Sequence, residues 1–164
     1  MNKKLILALL LPFITFTAQA ADEGDSSNYY GLTLMEVSGG SPSLDYAPTG
    51  ILLRLGHRFS YDLAIEFHTA SAQTSSTLSL DRLNSVLLRW SAPYERFHLY
   101  TMVGLSRVNF TASGTKAVAD SGSFGLGARF ETSKDYTIHL EWMSYGTSTA
   151  LKADSINLGL HWDF

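Results

Sequence analysis

The stretch "SINLGLHWDF", residues 155–164, alternates strictly between large apolar side chains and small or polar ones. The apolar row consists of Ile156, Leu158, Leu160, Trp162 and Phe164. Side chains on a β-strand point alternately to its two faces, so this segment predicts a strand with one apolar face. Its large aromatic rings stand at the end of the sequence, where a soluble domain usually frays into polar residues. The pattern raises the question of what covers this face.

The same period of two returns along the chain in eight segments. They are residues 28–37, 50–59, 61–71, 82–90, 97–108, 122–131, 136–145 and 155–164. Each is close to the length of about 9 to 11 residues that a tilted transmembrane strand requires. Long connections rich in Ser, Thr, Gly and Ala, at residues 37–49, 72–81, 109–121 and 146–154, alternate with short ones. This alternation predicts an up-and-down antiparallel barrel with long loops at one rim and short turns at the other.

The two faces of the predicted strands differ in volume. The apolar row contains bulky side chains such as Trp90, Phe97, Phe130 and Tyr136, whereas the other row is rich in glycine, histidine and charged residues. A soluble barrel would turn the apolar row inward, but eight strands enclose a space barely wide enough for side chains, and this row would overfill it. We therefore predict an all-β, eight-stranded antiparallel transmembrane β-barrel with its apolar row toward lipid and its rim aromatics at the membrane interface.

The N-terminal segment predicts export. Two lysines precede an apolar run at residues 5–18, and the sequence Ala-Gln-Ala ends at Ala20. The run is shorter than the roughly 18 to 20 residues of a membrane-spanning helix, so it indicates a cleaved secretory signal peptide at residues 1–20. Residues 21–164 are then expected to form one barrel domain in an outer membrane of the Gram-negative type.

Composition excludes several classes of function. Removal of residues 1–20 takes away two lysines, which leaves 10 basic residues against 15 acidic ones and a net charge near −5. This balance gives no reason to expect a nucleic-acid partner. The chain contains no cysteine, which excludes a disulfide framework, a thiolate metal site and a cysteine nucleophile. We predict no cofactor and no metal.

Two segments carry a resemblance to a known class. "INLGLHWDF" at residues 156–164 resembles the C-terminal signature that outer-membrane β-barrels use as their assembly signal, and "FGLGARFETSKDYTIHLEWMSYG" at residues 124–146 is similar to a hairpin of small OmpA-type and OmpX/Ail-type barrel domains. The resemblance implies a monomer in contact with outer-membrane lipid and lipopolysaccharide. It also implies recognition by the barrel-assembly machinery through the alternating apolar residues of the last strand.

The inward row carries charges that are expected to pair inside the lumen. The predicted network consists of Arg54, Arg58, Asp62, Glu66, Arg89, Arg129 and Glu141. A turn centred on Ser60 predicts a register in which Arg54 faces Glu66 and Arg58 faces Asp62. An unpaired buried charge is expensive, so we interpret the set as a salt-bridged plug that fills the lumen.

The same row raises a catalytic alternative, in which Glu66, His68 and Arg129 act in catalysis or proton conduction. Four histidines share the inward phase on different strands, namely His68, His98, His139 and His161, while His57 is on the outward phase. Their spacing lacks the close repeats typical of a metal site. Lipid A deacylases of similar size carry a His and a Ser two positions apart on the outward face, and this chain contains no His-x-Ser. We therefore predict no enzymatic activity and no catalytic residue.

The long loops are the remaining place for a binding function, because barrel proteins usually keep their binding residues there. These loops contain few aromatic or charged residues and no recognisable motif. We expect a small non-enzymatic barrel that contributes to envelope integrity, or to adhesion through an extracellular ligand bound by its loops. A lipid A-modifying enzyme of the deacylase or acyltransferase type and a narrow channel are the alternatives.

Overall fold

The computed structural model describes residues 26–39, 49–60, 62–73, 78–112, 114–132, 136–148 and 151–163. The predicted signal peptide at residues 1–20 and the aromatic residue Phe164 lie outside this part of the chain. Within the described residues no helix is long and apolar enough to cross a membrane.

The described residues form eight strands that close into a barrel. The strands are β1 Ser27–Gly39, β2 Thr49–Arg58, β3 Leu63–Gln73, β4 Leu78–Tyr94, β5 Phe97–Ala112, β6 Thr115–Glu131, β7 Tyr136–Ser148 and β8 Leu151–Asp163. Each strand pairs antiparallel with its neighbours in sequence, and β1 pairs with β8. The predicted eight-stranded up-and-down architecture is confirmed. Odd strands begin and even strands end at one rim, which we call the short-turn rim.

The predicted division into two faces is also confirmed. On β8, Ile156 and Leu158 are 60% and 53% exposed, whereas the intervening Asn157 is fully buried. The apolar side chains of the other strands likewise point away from the barrel axis, among them Leu32, Leu53 and Leu140. The alternation of side chains along each strand therefore separates an apolar exterior from a filled lumen.

Three strands are longer than the sequence pattern indicated. β4, β5 and β6 contain 17, 16 and 17 residues. The prediction of a long loop at residues 109–121 is wrong, because β5 continues to Ala112 and β6 begins at Thr115. Gly114, at φ 81°, supplies the left-handed conformation that a tight turn needs. The small and polar residues of this segment are typical of loops, but pairing between β5 and β6 continues through them.

The register between β2 and β3 also differs from the prediction. Arg54 pairs with His68, and Arg58 pairs with Ala64. The turn occupies the residues after Arg58 up to Leu63, whose carbonyl accepts a hydrogen bond from the amide of Phe59 at 2.9 Å. Pairing therefore shifts by two residues, which preserves the face of every side chain but changes its cross-strand neighbour. Neither predicted directly opposed charge pair is present.

Candidate functional site

A fully buried carboxylate, Glu66, is the centre of the lumen network. Its Oε2 lies 3.2 Å from Nη1 of Arg54, and its Oε1 lies 2.7 Å from Nη1 of Arg89. The hydroxyl of Tyr29 donates to Oε1 at 2.6 Å, and Nε2 of His68 lies 2.6 Å from Oε2. Arg54 thus reaches Glu66 diagonally across the β2–β3 pair. Because four side chains surround one carboxylate, the cost of its burial is compensated.

A second buried carboxylate, Glu141 on β7, completes the network from the opposite side. It accepts hydrogen bonds from Nη2 of Arg54 at 2.6 Å, from Tyr100 at 2.8 Å and from Nδ2 of Asn157 at 3.0 Å. Arg54 therefore contacts both carboxylates. With Arg89, the cluster contains two arginines and two glutamates, so its formal charge is balanced.

The remaining members of the predicted network lie elsewhere. Arg58 pairs with Asp163 at 2.9 Å. Asp62 is exposed in the turn before β3, which corrects its predicted place in the lumen. Arg129 is buried near the short-turn rim, where its Nη2 lies 3.7 Å from Glu131. The structure thus divides the predicted set into a central cluster and separate pairs at one rim.

An apolar layer in the lumen was missed by the sequence analysis. The buried cluster consists of Met35, Val37, Leu52, Ala70, Ala72, Leu80, Leu83, Leu87, Tyr100, Met102, Val108, Met143, Tyr145 and Ala153. The alternation of side chains along β2 indicates this layer, since Leu52 lies two residues before Arg54 on the same face. Most of its members lie between the charged cluster and the rim opposite the short turns, whereas Leu87 is the register partner of Glu66 and Tyr100 donates to Glu141. The described lumen therefore contains an apolar layer as well as a salt-bridged cluster.

In the described part of the chain, His139 has one of the two contacts that a catalytic triad requires. Nε2 of His139 lies 3.0 Å from Oγ1 of Thr33, which resembles the contact of a base with a nucleophile. A triad also needs an acid that orients the other ring nitrogen, and Nδ1 of His139 has no hydrogen-bond partner in the described part of the chain. The described residues also contain no group of three or more His, Asp or Glu able to hold a metal ion.

The long strands β4, β5 and β6 form a sheet that extends beyond the rest of the barrel. β6 pairs with β5 along residues 115–130, but its register with β7 covers only residues 124–131. The hydroxyl of Ser121 still donates to the carbonyl of Tyr145 on β7, so within the described residues positions 115–120 of β6 have a strand on one side only. We call this segment the β6 edge. Its side chain Val118 is 63% exposed.

Exposed polar contacts join the strands of the extended sheet. Arg107 donates from Nε and Nη2 to the two carboxylate oxygens of Asp120 at 2.7 and 2.8 Å. This hydrogen bonding lowers the pKa of Asp120 and raises that of Arg107. Asp81 accepts hydrogen bonds from Thr111 at 2.6 Å and from Ser79 at 2.7 Å, which lower its pKa. These contacts connect all three strands where the barrel wall no longer supports them.

The predicted assembly signal lies on the exterior of β8. Ile156, Leu158 and Leu160 are exposed, and the ring of Trp162 stacks on Tyr30 of β1 with centroids 5.4 Å apart. The apolar row of the last strand therefore faces outward at the β1–β8 seam. Recognition of these residues by an assembly factor stays a prediction.

Comparisons with known proteins agree with this geometry. A family model described as "Outer membrane protein beta-barrel domain" matches residues 6–164. The crystal structure of Ail, the attachment invasion locus protein of Yersinia pestis, is 21% identical with a TM-score of 0.59 and covers 87% of this chain and 100% of its own. No curated protein sequence matches this chain.

Two further barrels are similar at lower identity. The N-terminal β-barrel domain of Pseudomonas aeruginosa OprF is 12% identical with a TM-score of 0.63, and covers 85% of this chain and 100% of its own. Neisserial surface protein A is 12% identical with a TM-score of 0.60, and covers 83% of this chain and 95% of its own. These similarities show the fold.

Proposed function

Because the chain belongs to the outer-membrane protein β-barrel domain family, we propose that it is a non-enzymatic surface barrel whose β6 edge binds an extended segment of an extracellular protein. Family membership gives its location in a Gram-negative-type outer membrane and explains the apolar exterior. Barrels of this kind have their short turns in the periplasm, so the short-turn rim is periplasmic and the extended sheet lies outside the cell.

The proposal rests on the β6 edge, which is paired with β5 but has no register partner on β7 within the described residues. A strand with a neighbour on one side presents backbone N–H and C=O groups on the other, and a partner can add a strand there. Proteins usually cover such edges or blunt them with charge. Here most of the edge is small or uncharged, with Lys116 and Asp120 as its charged residues.

The lumen supports a non-enzymatic, non-conducting role. The apolar layer around Leu52 and Met102 and the cluster of Arg54 with Glu66 and Glu141 occupy the interior. An acyltransferase would need room for a lipid chain there, and an open channel would need water. We expect no acyl release from labelled lipopolysaccharide by the purified protein. Release would overturn the non-enzymatic assignment.

Ail has also been solved in complex with the heparin analogue sucrose octasulfate. In the present chain the extended sheet mixes both signs of charge, since Arg107 is paired with Asp120 and Asp81 lies beside Arg82. Such a surface favours an extended peptide over a polyanion, which would require an excess of positive charge.

The proposal is tested with cells that display the protein and its Val118→Lys variant. Lysine blunts an edge strand, so attachment to immobilised extracellular-matrix proteins is expected to fall severalfold. The matched control is Asn109→Lys, which adds the same charge on β5 directly opposite Val118 but on an interior strand. An equal loss in both variants would contradict binding at the edge. Stronger attachment of both variants to a sulfated polysaccharide would indicate a polyanion partner instead.

A further inference from the structure

The apolar belt on the exterior is shorter on one side of the barrel. On β1 the exposed apolar side chains run from Tyr30 to Leu34, and on β2 they run from Ile51 to Leu55 and resume at Phe59 beyond His57. On β7 they run from Tyr136 to Trp142, two residues further, which adds about 7 Å along the strand. Polar side chains therefore come closer to the middle of the membrane on the β1–β2 side.

A polar pair interrupts the aromatic residues at the short-turn rim on this side. Elsewhere this rim presents Trp90, Tyr94, Phe97, Phe130, Tyr136 and Trp162. On β1 and β2 it presents Asn28 and His57, which are directly paired in the register, followed by Phe59, whose ring lies edge-on to His57 with centroids 4.8 Å apart. Nδ1 of His57 lies 2.9 Å from Oδ1 of Asn28. An amide oxygen only accepts, so Nδ1 donates in this contact, and in that tautomer Nε2 is the acceptor of the ring.

An exterior groove of about 330 Å³ begins at this histidine. Five side chains of the outward row line it, namely Leu55 and His57 of β2, Ile65 and Phe67 of β3, and Val86 of β4, and Gly56 and Glu66 line it as well. Because the five outward side chains point away from the lumen, the groove opens toward the hydrocarbon of the membrane. It is apolar along its length and polar at its periplasmic end.

We propose that this surface binds one phospholipid of the periplasmic leaflet whose headgroup carries a primary ammonium. One acyl chain occupies the groove between β2 and β4, and an ammonium N–H donates to Nε2 of His57. A choline headgroup has no N–H donor and cannot make this bond. His57 lies between Leu55 and Phe59 in the outward row of β2, so a headgroup that contacts it remains beside apolar side chains.

Native mass spectrometry of the intact barrel ejected from nanodiscs tests this inference. The nanodiscs contain equal amounts of phosphatidylethanolamine and phosphatidylcholine with the same acyl chains. We expect one retained lipid per barrel, enriched about fivefold in ethanolamine, the factor expected for one hydrogen bond. His57→Phe should abolish the preference. The matched control, Thr101→Phe, replaces a polar residue of the belt on β5 outside the groove and should leave it unchanged.

A second variant separates the groove from the headgroup contact. Val86→Phe fills the groove and leaves His57 in place, so retention of both lipids is expected to fall. Equal retention of the two headgroups by the unmodified protein, or a preference that survives His57→Phe, would overturn the proposal. Barrel dimers in place of lipid adducts would overturn it as well, and would assign the surface to a second copy of the chain.

Discussion

Arg54 links Glu66 of β3 to Glu141 of β7 across the lumen, at 3.2 and 2.6 Å. A single guanidinium on β2 thereby connects two strands that are not neighbours in the barrel wall. Because all three side chains are fully buried, each charge depends on the others to compensate for lost hydration.

Removal of this link should destabilise the barrel. Arg54→Met leaves two buried carboxylates short of a cation, and we expect a loss of about 3 to 5 kcal/mol in the free energy of unfolding. Denaturant titration of the detergent-solubilised barrel measures it. Arg107→Met removes the same side chain from an exposed pair and should leave the unfolding midpoint unchanged. Equal midpoints for the two variants would contradict a buried network.

The partners of Glu66 should be coupled energetically. Glu66→Gln leaves Arg89 and Arg54 with one carboxylate between them and should cost a few kcal/mol. In a double-mutant cycle, Arg89→Met combined with Glu66→Gln should cost less than the sum of the single variants, since the second change removes a charge that the first left unpaired. Additive unfolding free energies would mean that the 2.7 Å contact contributes nothing.

The apolar layer gives a prediction on packing and conductance. Leu52 is fully buried while its neighbour Leu53 is 52% exposed. Leu52→Ala should cost about 2 to 5 kcal/mol, and Leu53→Ala, on the lipid-facing side, should cost less. Planar-bilayer recordings of the unmodified protein are expected to show no steady current. Stable ion-selective currents would refute the plugged lumen.

The contact between Arg107 and Asp120 predicts how the extended sheet responds to acid. The lowered pKa of Asp120 means that its contribution to stability is present above the ordinary aspartate pKa and is lost as pH falls through the lower folded value. After correction for the intrinsic pH dependence of amide hydrogen exchange, protection of the β6 amides should therefore be steady from neutral pH down to about 4 and decrease only below it. Asp120→Asn should remove this acid transition, and an unchanged transition would assign it to another carboxylate.

The aromatic end of the sequence is expected to act in assembly. Deletion of Phe164 should lower the amount of protein in the outer membrane more than it lowers the stability of barrel refolded in detergent. Immunoblots of membrane fractions measure the first quantity and thermal unfolding on gels the second. Normal membrane levels of the truncated chain would contradict an assembly role.

The amino-acid pattern was sufficient for the number of strands, their antiparallel order and the face of nearly every side chain. Alternation is a local property of extended backbone, so Leu158 outward and Asn157 inward follow from their positions in the sequence. The inward charges Arg54, Glu66, Arg89 and Glu141 could be placed in the lumen for the same reason.

Contacts between strands were decided by the closed barrel. A two-residue shift in one turn gave Arg54 the neighbour His68, and strand pairing continued through residues that resemble a loop. The contact of Arg54 with Glu141, and that of Arg58 with Asp163, join strands that are not adjacent. Such distances depend on the stagger and tilt of all eight strands together, which no single segment encodes.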